Sequence, residues 1–317
     1  MCSINEKTPW RTPFHALLIC LLCALVPASA AAERIQVVAS FSILADLARH
    51  VGGERVTVTA LIAPDTDAHG YQPRPSDARL VRDARLVLAN GLGFDPWIER
   101  LARSTGHDGN LVIATDGIEP LEDSGTHQGH GHDHDHAHGP LDPHAWQDVA
   151  NAQVYVRNIA AALARVDSEG TAVYADNAAR YAERLRQLDD EIRSTLSTLP
   201  ISRRKLVTSH DAFGYFGKAY GMRVLPAAGV SYESEPSAAG IARLIRQVRR
   251  EKVPVVFVEN ISDPRLIERI AHEGGAKVGG KLYSDALSGP DGPAPTYIDM
   301  MRFNLDTLMK GLLAEAG

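Results

Sequence analysis

Apolar residues along the chain follow two alternating patterns. Short apolar runs stand at Ile35–Ala39, Val56–Ile62, Leu86–Ala89 and Leu111–Ala114. Between them lie stretches such as Ile43–Val51 and Trp97–Ala102, where apolar positions recur at three- and four-residue steps. The runs fit strands buried on both faces, and the stepped repeats fit helices packed along one stripe. A second series follows at Leu206–Thr208, Arg223–Leu225, Val255–Val258 and Lys277–Gly279. Pro236 opens one intervening helix, with Ile241, Leu244, Ile245 and Val248 on one face. Pro264 opens another after Asp263 as N-cap, and Gly274-Gly275 stops it. Strands alternating with helices predict an α/β fold with mostly parallel sheets flanked by helices, built twice over.

Between the two series, from about Ser168 to Thr198, the pattern becomes one long helix. Tyr174, Ala178, Tyr181, Leu185, Leu188, Ile192 and Leu196 form a single apolar stripe on an otherwise charged surface. Such a helix spans roughly 45 Å at about 1.5 Å per residue. It predicts a stiff strut packed along both lobes, with no Gly/Ser-rich linker. The expected organisation is an N-terminal lobe over 33–167, a linking helix over 168–199 and a C-terminal lobe over 200–317.

The first 32 residues break from this scheme. Lys7 and Arg11 precede the apolar run Ala16–Val26, and Ala28-Ser29-Ala30 follows it. That is the pattern of a secretory signal peptide, too short to span a bilayer, which needs about 20 residues. No later segment approaches that length, so export without stable membrane insertion is expected. Cys2, Cys20 and Cys23 all fall in this segment, which leaves the rest with no disulfide and no thiolate ligand. Ile19 and Leu22 precede Cys20 and Cys23, where lipid attachment wants a small residue. The formal charge is -6, and the leader carries +1, so the remainder is near -7. That balance argues against nucleic acid and suits a cation.

One stretch, 122–139, is low in complexity and holds His127, His130, His132, His134, His136 and His138 among acids and glycines. Without large apolar residues it cannot offset the entropy of ordering, so a mobile, loosely chelating loop is expected.

Four other residues follow carboxyl ends of expected strands, where open α/β sheets build their sites. His69 comes after the strand at 56–62, His144 after that at 111–114, His210 after 206–208 and Asp285 after 277–279. Two belong to each half. Three imidazoles and one carboxylate suit a borderline cation such as Zn2+, whereas a carboxylate-rich set favours manganese. His15, His50, His107 and His272 lack that placement, and His50 and His272 lie in helical patterns with no partner in view.

The residues around these four resemble the cluster A-I metal-binding subunits of bacterial ABC importers, most closely the zinc-specific type. The motifs are His69-Gly70-Tyr71-Gln72-Pro73 with Pro75-Ser76-Asp77, Asp142-Pro143-His144-Ala145-Trp146, Thr208–Phe216, Glu235-Pro236-Ser237 with Val258-Glu259-Asn260, and Leu282–Leu287. They run in order through nearly the whole chain after the leader. The resemblance implies two lobes joined by a rigid helix, with metal held between them by His69, His144, His210 and Asp285. In manganese-type relatives the third ligand is typically glutamate; here it is His210. It also implies a periplasmic monomer serving an ABC permease and its ATPase, with a metallochaperone as a further partner.

In this reading Asp142 and Asp211 orient the imidazoles from behind. A closed four-ligand set suits carriage rather than catalysis. Three alternatives stay open: a manganese or iron carrier of the same family, a zinc hydrolase using Glu233, Glu235 or Glu259 as base, and an adhesin role attributed to some relatives.

Overall fold

The computed structural model describes residues 34–122, 141–227 and 238–314. The expected leader and all six histidines of the low-complexity stretch lie outside the described residues.

The first half is organised on one parallel sheet. Strand β1 (Ile35–Ala39) lies between β2 (Val56–Ala60) and β3 (Leu86–Ala89), and β4 (Leu111–Ile113) pairs with β3. Val37 stands opposite Val58 on one side and Leu86 on the other. β3 reads Leu-Val-Leu-Ala and is buried throughout, as a parallel strand covered on both faces must be. Helices α1 (Ser42–Gly52), α2 (Pro75–Asp83) and α3 (Pro96–Ser104) connect the strands. In the order β2-β1-β3-β4, the connections leaving β1 and β3 run to opposite sides. That reversal opens a crevice at their carboxyl ends.

A short antiparallel pair, β5 (Leu121–Glu122) with β6 (Leu141–Asp142), brackets the histidine-rich stretch in sequence. Glu122, read from composition as the start of the loop, therefore belongs to a strand. Helix α4 (Val149–Val166) follows, capped by Asp148, whose side chain accepts from the Ala150 N–H. Its buried face is formed by Val149, Ala152, Tyr155, Val156, Ile159, Ala162 and Leu163.

Helix α5 (Thr171–Ser197) is the expected strut, 27 residues and about 40 Å long. Tyr174, Tyr181, Leu185, Leu188, Ile192 and Leu196 are buried and Ala178 half-buried. The strut packs on α1 and α4 of the first half, and on α6 (Gly214–Tyr220) and the C-terminal helix of the second half. Each large side chain on that stripe contributes about 1.5–3 kcal/mol by leaving water. The exposed pairs on the outer face, such as Arg186 with Glu183 and Asp190, contribute little. The strut is therefore held by its apolar stripe.

The second half contains β7 (Lys205–Thr208) paired with β8 (Arg223–Pro226), α7 (Ala238–Arg250), β9 (Val255–Glu259), α8 (Pro264–Gly274) and β10 (Lys277–Leu282) paired with β9. Both pairings are parallel, and β7 runs beside β9. Asp263 caps α8 by accepting from Arg265 N, and Gly275 ends it at φ 76°. On α7, Leu244, Ile245 and Val248 are buried as the pattern required; Pro236 lies outside the described residues. β10 runs further than its apolar pattern. Its register shifts between Val278 and Lys281, where a Cβ on Gly279 would overlap Val255 and Phe257 and Gly280 adopts φ 141°. The C-terminal helix α9 (Tyr297–Leu313) packs on β10, α5 and α1. The molecule is thus a two-lobed α/β protein with a long central helix.

One expectation is corrected. His50 has partners: its ring stacks on Tyr181 at 4.3 Å, and Nε2 lies 3.6 Å from Asp46 on the same face of α1. His107 bonds the Ala84 carbonyl at 2.5 Å. His272 is exposed in the last turn of α8, and His15 lies outside the described residues.

Candidate metal centre

Four arms carry the four residues to one point. The first is the loop between β2 and α2. Asp67 Oδ1 accepts from His69 N at 2.9 Å and turns the chain there. Beyond it, Tyr71 O–H and Arg74 N both donate to Asp77 Oδ2, at 2.7 and 2.6 Å. These bonds explain the spacing of the His-Gly-Tyr-Gln-Pro and Pro-Ser-Asp motifs: the aspartate of α2 fastens the loop that bears His69.

The second arm leaves β6. Asp142 Oδ1 accepts from His144 N at 2.9 Å and lies 2.8 Å from His144 Nδ1. Trp146 Nε1 and Gln147 Nε2, just beyond, donate to Ser284 O at 2.9 and 2.8 Å. The third arm leaves β7. Glu259, at the end of β9, accepts from Ser209 N and His210 N on Oε1, at 2.8 and 3.0 Å. Its Oε2 lies 2.6 Å from His210 Nδ1. The fourth arm leaves β10, and Asn304 of α9 grips it through both Tyr283 N and Tyr283 O.

At the meeting point, Asp285 Oδ2 lies 3.1 Å from both His69 Nε2 and His210 Nε2, and Oδ1 lies 3.6 Å from His144 Nε2. His144 Nε2 and His69 Nε2 are 3.3 Å apart. One ligand atom from each residue falls within a 4.8 Å span. His144, His210 and Asp285 are completely buried. Asp285 Oδ1 has no hydrogen-bond partner among the described residues. The crevice of the first sheet supplies the floor: Phe94 packs against His69 at 5.0 Å and Trp146 against His144 at 5.3 Å.

Carboxylates behind His144 and His210 face Nδ1, an arrangement that leaves Nε2 of each ring to a metal once its proton is displaced. Burial alone would lower the His210 pKa, but Glu259 and Asp285 outweigh it and hold the ring well above the ordinary histidine value. Burial alone would raise Asp285, and His210 and His144 outweigh it, holding that carboxyl well below the usual range. Three convergent imidazole nitrogens and an incompletely bonded buried carboxylate form a constellation that a divalent cation satisfies.

Every one of the four expected residues reaches this point. Asp142 stands behind His144, 2.8 Å from Nδ1. Behind His210 the ring's partner is Glu259, with Asp211 buried at the next position in the chain. In the sequence Glu259 stands only as a motif residue and a candidate hydrolase base. Its signal was an acid ending a wholly apolar strand, Val-Val-Phe-Val-Glu, where a buried carboxylate must find donors. Engaged by two N–H groups and an imidazole, it has no place as a general base. Glu233 and Glu235 lie outside the described residues.

Comparison with known proteins places the chain in a family. The chain matches the family described as zinc-uptake complex component A, periplasmic (ZnuA), over residues 37–311. It is 34% identical to the iron-binding protein YfeA of Yersinia pestis over 280 residues, 88% of this chain and 87% of that protein. It is also 34% identical to the manganese-binding lipoprotein MntA of Halalkalibacterium halodurans over 282 residues, 88% and 89% of the two chains. Among solved structures it is similar to the periplasmic zinc binding protein TroA of Treponema pallidum, with TM-score 0.79 and 28% identity, covering 88% of this chain and 99% of that one. No helix among the described residues is long and apolar enough to cross a membrane. The chain therefore belongs to the ZnuA family of periplasmic metal-binding proteins, the substrate-binding components that work with the permease and ATPase of ABC importers.

Proposed function

We propose that this chain carries Zn2+, held between its two lobes by Nε2 of His69, His144 and His210 and by the Asp285 carboxylate. The observation that carries this reading is the donor set and its spacing. Four ligands tetrahedrally placed about 2.0–2.1 Å from zinc stand roughly 3.3–3.4 Å from one another. Four separations here are 3.1 and 3.1 Å from Asp285 Oδ2, 3.6 Å from its Oδ1 and 3.3 Å between two imidazoles, and all the ligand atoms lie within 4.8 Å, a span that closes to those edges by small side-chain shifts. Three neutral nitrogens to one carboxylate favour zinc over manganese, which prefers oxygen. The set leaves no position for a reacting water, which suits carriage and release rather than hydrolysis.

A second reading, a manganese or iron carrier, is favoured by the relatives named for those metals. Titrating the metal-free protein with zinc and with manganese separates the two. We expect zinc to bind at one ion per chain and to be the tighter, and tighter manganese would replace the first reading with the second.

Further parts of the proposal follow from sequence. Residues 33–167 and 200–317 form the lobes and 168–199 the link. Residues 1–32 direct export to the periplasm and are cleaved, leaving a soluble monomer. The mass of the mature N-terminus distinguishes this from the lipid anchoring that MntA's description implies for that protein. The six histidines from His127 to His138 gather zinc, directly or from a metallochaperone, and speed its passage to the cleft.

A further inference from the structure

Asp285 belongs to the second half of the sequence, yet its arm is fastened to the first half by two kinds of contact. One kind is buried: Trp146 and Gln147 bond Ser284 O, and Leu287 N donates to Ser42 Oγ at 3.0 Å. The other is open to water and centres on Asp65, an exposed residue four positions before His69. Asp65 N donates to Leu287 O at 2.9 Å. Its Oδ1 accepts from Asn260 Nδ2 at 3.1 Å, and its Oδ2 from Gly289 N at 3.3 Å.

Asn260 makes this contact more than local. Its side chain also donates to Ala286 O and accepts from Ser284 N, so it brackets Asp285 on both sides. It directly follows Glu259, the residue behind His210. One carboxylate thus joins the arms of His69 and Asp285 and touches the segment that steadies His210. Asp65 holds φ at 52°, a left-handed conformation that few residues other than glycine, asparagine and aspartate accept.

We propose that Asp65 is a positioning residue of the metal centre, a clasp between the His69 and Asp285 arms that sets how fast bound metal leaves. The inference rests on the four-residue reading of the centre given above. The buried contacts cannot exchange for water without opening the fold. The Asp65 contacts can, so they are the part of the closure that breaks first. A contact that must break before the two arms part acts mainly on the rate of dissociation.

The test is release of zinc from the loaded full-length protein into excess chelator by stopped flow, in wild type, Asp65→Ala, Asp65→Gly and Asp65→Asn. We expect release about tenfold faster in the alanine and glycine variants, a change worth about 1.4 kcal/mol. Asparagine, which tolerates the same backbone and keeps an acceptor for Asn260 but none for Gly289 N, should fall between. Glycine relieves the backbone without restoring the carboxylate, so parallel behaviour of glycine and alanine assigns the effect to the clasp. Melting of the metal-free proteins should stay level in the glycine and asparagine variants, with a small fall confined to alanine from its left-handed backbone. Unchanged release rates overturn the proposal, as does a melting temperature that falls in step with them, because that marks general damage. His144→Ala is measured alongside. If it retains zinc like wild type, the centre itself is misread. If it loses zinc while the Asp65 series is flat, only the clasp is wrong.

Discussion

His144 follows the short antiparallel strand β6 and His210 the parallel strand β7, yet each turns Nδ1 onto a carboxylate, at 2.8 and 2.6 Å. The first carboxylate is Asp142, two residues upstream in the same turn. The second is Glu259, 49 residues downstream, delivered by the neighbouring strand. One device is local and survives any rearrangement of the lobe around it. The other exists only when β7 and β9 lie side by side. His69 has a third arrangement, with Asp67 holding its backbone and Phe94 its ring face. Three imidazoles of one kind are thus oriented with three degrees of dependence on the fold.

The largest effect should come from the group common to all three. Asp285→Ala removes the carboxylate that lies within 3.1–3.6 Å of each Nε2. Zinc affinity should fall by more than about a hundredfold, beyond the usual cost of losing an orienting partner, as read by competition with a chromophoric chelator. A loss under tenfold would mean that the imidazoles bind without it.

Acid comes next. With metal absent, His210 keeps its proton to a higher pH than an ordinary histidine because of Glu259 and Asp285. Metal requires the unprotonated nitrogen, so affinity must fall as pH drops below that raised value, by roughly tenfold per unit for each proton displaced. Calorimetric titrations from pH 7.5 to 5 should show progressive weakening with proton release on binding. A flat profile would remove the imidazoles from the ligand set.

The comparison itself is sharpened by Glu259→Gln against Asp142→Asn. Each should weaken zinc by about 10–100-fold. The glutamate change should be the larger, because Glu259 uses one oxygen for Ser209 N and His210 N and the other for His210 Nδ1, so an amide must turn its NH2 onto one of them, whereas Asp142 serves His144 with a single oxygen. A larger loss from Asp142→Asn would make the local turn the stricter device. The smallest effect at equilibrium is expected from deleting 123–138. Loading should slow while the dissociation constant holds, and a weakened constant would make the histidine-rich stretch part of the binding site.

Much of this molecule was legible along the chain. The strands of both series, the buried stripe of α5 and the caps of α8 follow from apolar spacing and from Asp263, Pro264 and Gly275, because those signals act within a few residues. β10 was read short, since two glycines interrupt its pattern at the register shift. The site divides in the same way. His69, His210 and Asp285 could be picked out because each follows the end of a parallel strand; His144, expected after the strand at 111–114, instead follows β6 of the short antiparallel pair, with Asp142 beside it. That four ligand atoms from four arms fall within 4.8 Å, that Glu259 is the group behind His210, and that Asp65 reaches Asn260 and Gly289 were decided by the tertiary structure alone. The reason is physical: spacing along a chain determines local periodicity and turn chemistry, while separations of about 3 Å between residues scores of positions apart depend on how sheets and strut pack.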